Sequence, residues 1–168
     1  MTTVELRPWS DRDLPLLVRG NDPAMTTHLA GPESDDEVHD RHARYLRLWR
    51  EGTARMFVIV GDGAPVGAIG WWRTDWHGRA VLETGWFVLS EAQGRGIARR
   101  AVELIIEDAR VHGGGRALTA FPAVGNGPSN ALCRGAGFTN HGVEAFEFRG
   151  ETLSVNAWVL ELAAPPPS

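Results

Sequence analysis

A chain of 168 residues with 43% hydrophobic content has the size of one domain and enough apolar residues for an ordinary core. A formal net charge of −4 gives no general attraction to nucleic acid or to an anionic membrane, so any polyanionic ligand must be held locally. The single cysteine, Cys133, cannot close an internal disulfide, and no apolar run reaches the length of a signal core or a spanning helix, which points to a soluble cytoplasmic protein.

Val4-Glu-Leu6-Arg-Pro8 alternates and stops at proline, which predicts a short first strand. Ser10 with Asp13 three residues on reads as a helix start; Leu14, Leu16, Leu17 and Val18 continue it to a stop near Gly20. Asp22 to Leu29 reads as a short helical turn, and Gly31-Pro32 breaks the chain. Ser34 and Glu37 form a capping box ahead of an apolar stripe of Val38, Tyr45, Leu46, Leu48 and Trp49, which ends at Gly52. Arg55 to Val60 is β-rich, Asp62-Gly63 is a hairpin turn, and Val66 to Trp72 is its partner strand. The chain turns again over Asp75 to Gly78 into Ala80 to Leu89, which completes an antiparallel meander.

Ala98, Ala101, Val102, Ile105 and Ala109 keep the 3.6-residue period of a buried helix face, and Gly113-Gly-Gly115 ends that helix. Arg116 to Phe121 follows a crossover helix and so lies parallel to the strand ending at Leu89. Asn126 starts a further helix with Pro128 in its first turn and Gly135-Ala-Gly137 at its end. Phe138 to Phe148 and Thr152 to Leu162 make a hairpin around Arg149-Gly150. Residues 163–168, Ala-Ala-Pro-Pro-Pro-Ser, have little to bury and are expected to be disordered, leaving 1–162 as a single domain.

The chemistry concentrates where the strand ending at Leu89 runs through Gln93-Gly94-Arg95-Gly96-Ile97-Ala98 into a helix. Two glycines permit close approach of main chain to ligand, and the unpaired N–H groups of the first helical turn, with the positive end of the helix dipole, favour a phosphate or pyrophosphate. A P-loop requires a lysine, and the chain contains none. A dinucleotide fingerprint requires a third glycine and an acidic residue on the next strand, and Arg116 to Ala120 ends without a carboxylate. Gln93-x-x-Gly96-x-Ala98 instead resembles the acetyl-CoA-binding motif of the GCN5-related N-acetyltransferases (GNAT). Asn126-Gly-Pro-Ser129-Asn130, closing at Gly137-Phe138, resembles that family's next helix, and the flanking segments fit the same plan.

The resemblance implies an α/β fold with a mixed, mostly antiparallel seven-stranded sheet, a splayed parallel pair and helices on both faces, with acetyl-CoA in the fork. It implies that Val88 and Leu89 bond the pantetheine through their main chain, that Gln93, Gly94, Arg95, Gly96, Ile97 and Ala98 hold the pyrophosphate, and that Asn126 bonds the pantetheine amides. Many members carry a tyrosine as proton donor where this chain has Cys133. The Asn-x-x-Ser-Asn string is similar to the ribosomal-protein alanine N-acetyltransferase branch and points to Ser129 as donor, with Cys133 or water as alternatives. Glu83, beside Leu82, Trp86 and Phe87, is the candidate base, because apolar neighbours raise a carboxyl pKa toward the working range. Glu144 and Glu147 are weaker candidates, and an amine arriving neutral needs no base. The acceptor is then a small-molecule amine or a protein N-terminus. A homodimer follows from resemblance alone, and an acyl-CoA sensor without turnover is the competing reading. His39 and His42 sit among Asp36, Glu37, Asp40 and Arg41 on a wet helix face, so no metal site is expected.

Overall fold

The computed structural model describes residues 1–162, so the tail expected to be disordered at 163–168 lies outside the described residues. Strand β1 (Val4–Pro8) leads through a 3-10 turn (Asp11–Asp13) into helix α1 (Leu14–Gly20), followed by helix α2 (Asp35–Glu51). Strands β2 (Ala54–Gly61), β3 (Ala64–Trp76) and β4 (Arg79–Val88) form the meander; helix α3 (Ile97–His112), strand β5 (Leu118–Ala120), helix α4 (Gly127–Gly135) and the hairpin β6 (Thr139–Phe148) and β7 (Glu151–Leu160) complete the chain. The sheet order is β1-β2-β3-β4-β5-β7-β6. Neighbours are antiparallel except β4 and β5.

Alternation along β2 sets the layers. Phe57 and Ile59 point to a cluster with Ile97, Ala101, Val102, Ile105 and Ala109 of α3, while Met56 and Val58 point to one with Leu16 and Leu17 of α1 and Val38 of α2. Helices therefore cover both faces. Cys133 of α4 joins the α3 cluster, which places α4 on the same side as α3.

Local signals formed as written. Ser34 Oγ accepts from the Glu37 N–H at 3.2 Å and the Glu37 carboxylate accepts from the Ser34 N–H at 2.9 Å, a reciprocal cap; Gly52 ends α2 in the left-handed region. The β6–β7 turn places Arg149 and Gly150 at φ 52° and 79°, the left-handed pair of a tight hairpin. Asp22 to Leu29 differs from the expected helical turn. It forms successive hydrogen-bonded turns, Met25 N–H to Asp22 O, Thr26 N–H to Pro23 O and Leu29 N–H to Thr26 O. No helix among the described residues is long and apolar enough to cross a membrane.

One buried polar residue ties the second half together. Asn130 Oδ1 accepts from Trp158 Nε1 (2.8 Å) and Asn156 Nδ2 (2.9 Å), and its Nδ2 donates to Asn126 O (2.8 Å) and Ala123 O (2.9 Å). All four bonding positions of the amide are filled, linking α4 to β7 and to the chain leaving β5. Asn130→Ala would orphan the indole N–H of buried Trp158 and take the acceptor from the Asn156 amide, while the Asn126 and Ala123 carbonyls keep their main-chain donors. A loss of about 3 kcal/mol is expected, since each unsatisfied buried group costs roughly 1–3 kcal/mol. A denaturant midpoint unchanged by this substitution would remove the assigned role.

Candidate active site

The parallel pair is short, and that shortness opens the sheet. Partners run only through Leu82 with Leu118 and Glu83 with Thr119, yet β4 continues to Val88. Beyond Ala120 the other chain follows β7 instead: Asn156 N–H donates to Pro122 O at 3.0 Å, Val124 N–H to Ser154 O at 3.0 Å, and Ala123 bridges to Val155. The two strands fork. Leu82 N–H donates to Ala117 O on the β5 side while Leu89 N–H donates to Val66 O on the β3 side, both at 2.8 Å, so alternation turns the main-chain groups of Trp86 and Val88 toward the gap. Of the two residues expected to grip pantetheine, Val88 has its N–H on the open side and Leu89 does not. The Val88 carbonyl accepts from Gln93 Nε2 at 2.9 Å, which fixes the strand end to the turn below it.

That turn presents a run of main-chain N–H groups toward one spot. Gly94 and Gly96 take φ 77° and 75°, and a Cβ at either would meet nothing within 4 Å, so conformation and not crowding calls for glycine. The Gln93 N–H is engaged with Ser90 O at 3.3 Å. From Gly94 to Arg99 no N–H donates to a protein acceptor among the described residues; Arg100, bonded to Gly96 O at 3.2 Å, begins the helical ladder. The α3 N-terminus has no side-chain cap and no acidic residue in its first turn, which carries Arg99 and Arg100 instead. Cations at a helix start oppose the macrodipole, and an anion there relieves both them and the orphan donors. Arg95, exposed beside these groups, makes no ion pair among the described residues.

Across the fork, α4 starts at the end of the β5 segment. Asn126 Oδ1 accepts from the Ser129 N–H at 3.2 Å, so the side chain caps the helix, and its Nδ2 donates to no protein acceptor among the described residues. Ser129 is half-buried and its hydroxyl is likewise without a protein partner among them. Cys133 is wholly buried in the α3 cluster, and burial pushes its thiol up to about 12.

Glu83 lies at the base of the fork, on the face opposite α3 and α4, where its register partner on β3 is Trp72. It is half-buried, accepts no hydrogen bond from a described residue, and burial pushes its carboxyl up to about 7. Glu144 is engaged with Trp76 Nε1 at 3.2 Å and His77 Nε2 at 3.0 Å, and Glu147 accepts from Thr152 Oγ1 at 2.5 Å. His42 accepts from Trp9 Nε1 at 2.9 Å and His39 bonds Asp35 O at 2.8 Å, so neither ring of that helix is idle.

Residues 3–139 match the model of the acetyltransferase (GNAT) domain family. The chain belongs to this family. No curated protein matches the sequence. Among solved structures, this GNAT acetyltransferase is similar to RimL, a ribosomal-protein alpha-N-protein acetyltransferase in complex with coenzyme A, with a TM-score of 0.80 and 22% identity over 97% of this chain and 96% of that one. It is similar to a ribosomal-protein-alanine N-acetyltransferase from Brucella melitensis, with a TM-score of 0.78 and 28% identity over 94% of this chain and 99% of that one. It is also similar to a spermidine N-acetyltransferase from Vibrio cholerae in complex with coenzyme A and spermine, with a TM-score of 0.76 and 21% identity over 95% of each chain. The N-acetyltransferase reading of the sequence, with acetyl-CoA as donor, stands, and so does the seven-stranded fold with one parallel pair.

Sequence reasoning singled out neither Asn130 nor Arg149. Asn130 sits inside the Asn-x-x-Ser-Asn string, where the pattern marks the position without separating cofactor contact from scaffold. Arg149, at the β6–β7 turn, donates to Gly31 O at 2.7 Å and Pro32 O at 2.8 Å and faces Glu37 at 3.4 Å, so it straps the loop before α2 to the far hairpin. No local pattern announces a contact 118 residues apart in sequence.

Proposed function

We propose that this chain moves acetyl directly from acetyl-CoA to a primary amine, with the diphosphate seated on the amides of Gly94 to Arg99. The observation that carries this is the run of N–H groups without protein acceptors at an uncapped, arginine-bearing helix start. Arg95 lends charge there, while Gln93, Ile97 and Ala98 shape the turn. The outward N–H of Val88 and the free Nδ2 of Asn126 hold the pantetheine arm in the fork.

Acetyl-CoA supplies the carbonyl carbon to which the amine nitrogen bonds as the carbon–sulfur bond breaks. Glu83 takes the ammonium proton, and the Ser129 hydroxyl gives one to the departing sulfur. A carboxyl with its pKa near 7 suits a base working at neutral pH.

The test incubates the full chain with acetyl-CoA and a panel of small amines and N-terminal peptides and follows free thiol. Release dependent on the amine is expected. Silence across the panel, with thermal stabilisation by coenzyme A retained, would favour a sensor. A protein of the ribosomal type and a small amine are both acceptors within this reading.

A further inference from the structure

The half of the sheet opposite α3 and α4 is only partly covered. Helices α1 and α2 pack on β2 and β3, and α1 reaches the Phe87 end of β4 through Gly20, whereas the same face of β4, β5, β7 and β6 carries no helix among the described residues. Aromatic side chains occupy it. The rings of Phe121 and Phe146 stack at 6.1 Å between centroids with 22° between planes, and Trp76 stands 6.5 Å from Phe121. Trp72 hangs over Gly85, its nearest ring atoms 3.1 Å and 3.7 Å from where a Cβ would sit. All four rings are half-buried, so each keeps apolar surface open beside the fork.

Charge on this face is sparse. Glu144 is held by Trp76 and His77, while Glu83, two residues along β4 from Gly85, has no partner among the described residues. One free carboxylate matches one positive charge, and the adjoining rings match a flat apolar body. A second ammonium group on a polyamine would find only Glu144, already engaged by Trp76 and His77.

Building on the transfer reading above, we propose that the acceptor is a monocationic amine carried on an aromatic body, seated on Trp76, Phe121 and Phe146 with its nitrogen turned toward Glu83. Glu144 acts as a positioning residue, holding the Trp76 ring in place through the indole N–H.

The probes are 2-phenylethylamine, n-butylamine and spermidine, measured on the full chain in two ways: calorimetric binding in the presence of coenzyme A, and amine-dependent thiol release from acetyl-CoA. Phenylethylamine is expected to exceed butylamine by about tenfold in affinity and in kcat/KM, the scale of a buried ring contact. Phe121→Leu and Phe146→Ala are expected to collapse that ratio toward one, with retained thermal stabilisation by coenzyme A reporting that each variant is folded. Equal affinity for the two monoamines, a preference for spermidine, or a ratio that survives both substitutions overturns the proposal. Loss of amine binding as protein concentration rises, with a dimer in sedimentation, would assign the rings to a second copy and overturn it as well. Selective binding without any thiol release would sink the transfer reading while leaving the aromatic site standing.

Discussion

Gly96→Glu is expected to abolish thermal stabilisation by coenzyme A and to lower kcat/KM by about a hundredfold or more. Gly96 is the residue before α3 and takes φ 75°, so any side chain there costs roughly 1–2 kcal/mol of backbone strain. A Cβ would meet nothing within 4 Å, so strain is the whole of the folding cost, and some of it is offset because a carboxylate suits an uncapped helix start. The same carboxylate occupies the focus of the Gly94 to Arg99 amides and repels a diphosphate. Charge-assisted hydrogen bonds contribute about 1.5–3 kcal/mol each, and losing two of them gives the hundredfold figure or more. Gly96→Ala separates the two effects, because it carries the strain without the charge and should keep part of the binding. Full stabilisation of the glutamate variant by coenzyme A would place the diphosphate elsewhere.

The parts of the molecule legible in the sequence are those decided within a few residues. The Ser34 and Glu37 box, the Asp62-Gly63 and Arg149-Gly150 turns and the buried stripe of α3 each depend on local geometry, and each formed. The glycine turn before α3 was legible for the same reason, since glycines at 94 and 96 imply a backbone path regardless of distant contacts. What escaped depends on register or on partners far along the chain. Leu89 donates to Val66 because of how β3 pairs with β4, and no pattern around Leu89 states that pairing. The β5 strand spans Leu118–Ala120, shorter than the Arg116 to Phe121 run suggested, because the chain after Ala120 is drawn away along β7. The same departure opens the fork. Asp22 to Leu29 had helix-like composition but no apolar period, and its contacts are to distant groups: Met25 touches Ser90 and Gln93, and His28 lies beside Gly125. Likewise, no pattern around Trp76 states that it meets Glu144 of another hairpin.

Glu83→Gln should move activity and stability in opposite directions. In the wild type, burial raises the carboxyl from an ordinary value of 4.5 to about 7, so the ionised form that accepts a proton grows in as pH passes neutrality. Wild-type kcat/KM therefore rises with pH through an inflection near 7, and the glutamine variant is expected to lose roughly 10²- to 10⁴-fold together with that inflection. Stability follows the opposite sign. Between 4.5 and about 7 the folded chain binds more protons at this site than the unfolded one, so this residue's contribution to stability falls as pH rises across that window and stays low above it. Glutamine does not titrate and removes the slope. At pH 8 the variant is expected to melt above the wild type, and below the ordinary carboxyl range that advantage should shrink. A substitution that merely damaged the fold would lower both quantities at every pH. An inflection that persists near neutrality in the variant would move the base to another group, and parallel melting curves across pH would show that the carboxyl is solvated in solution.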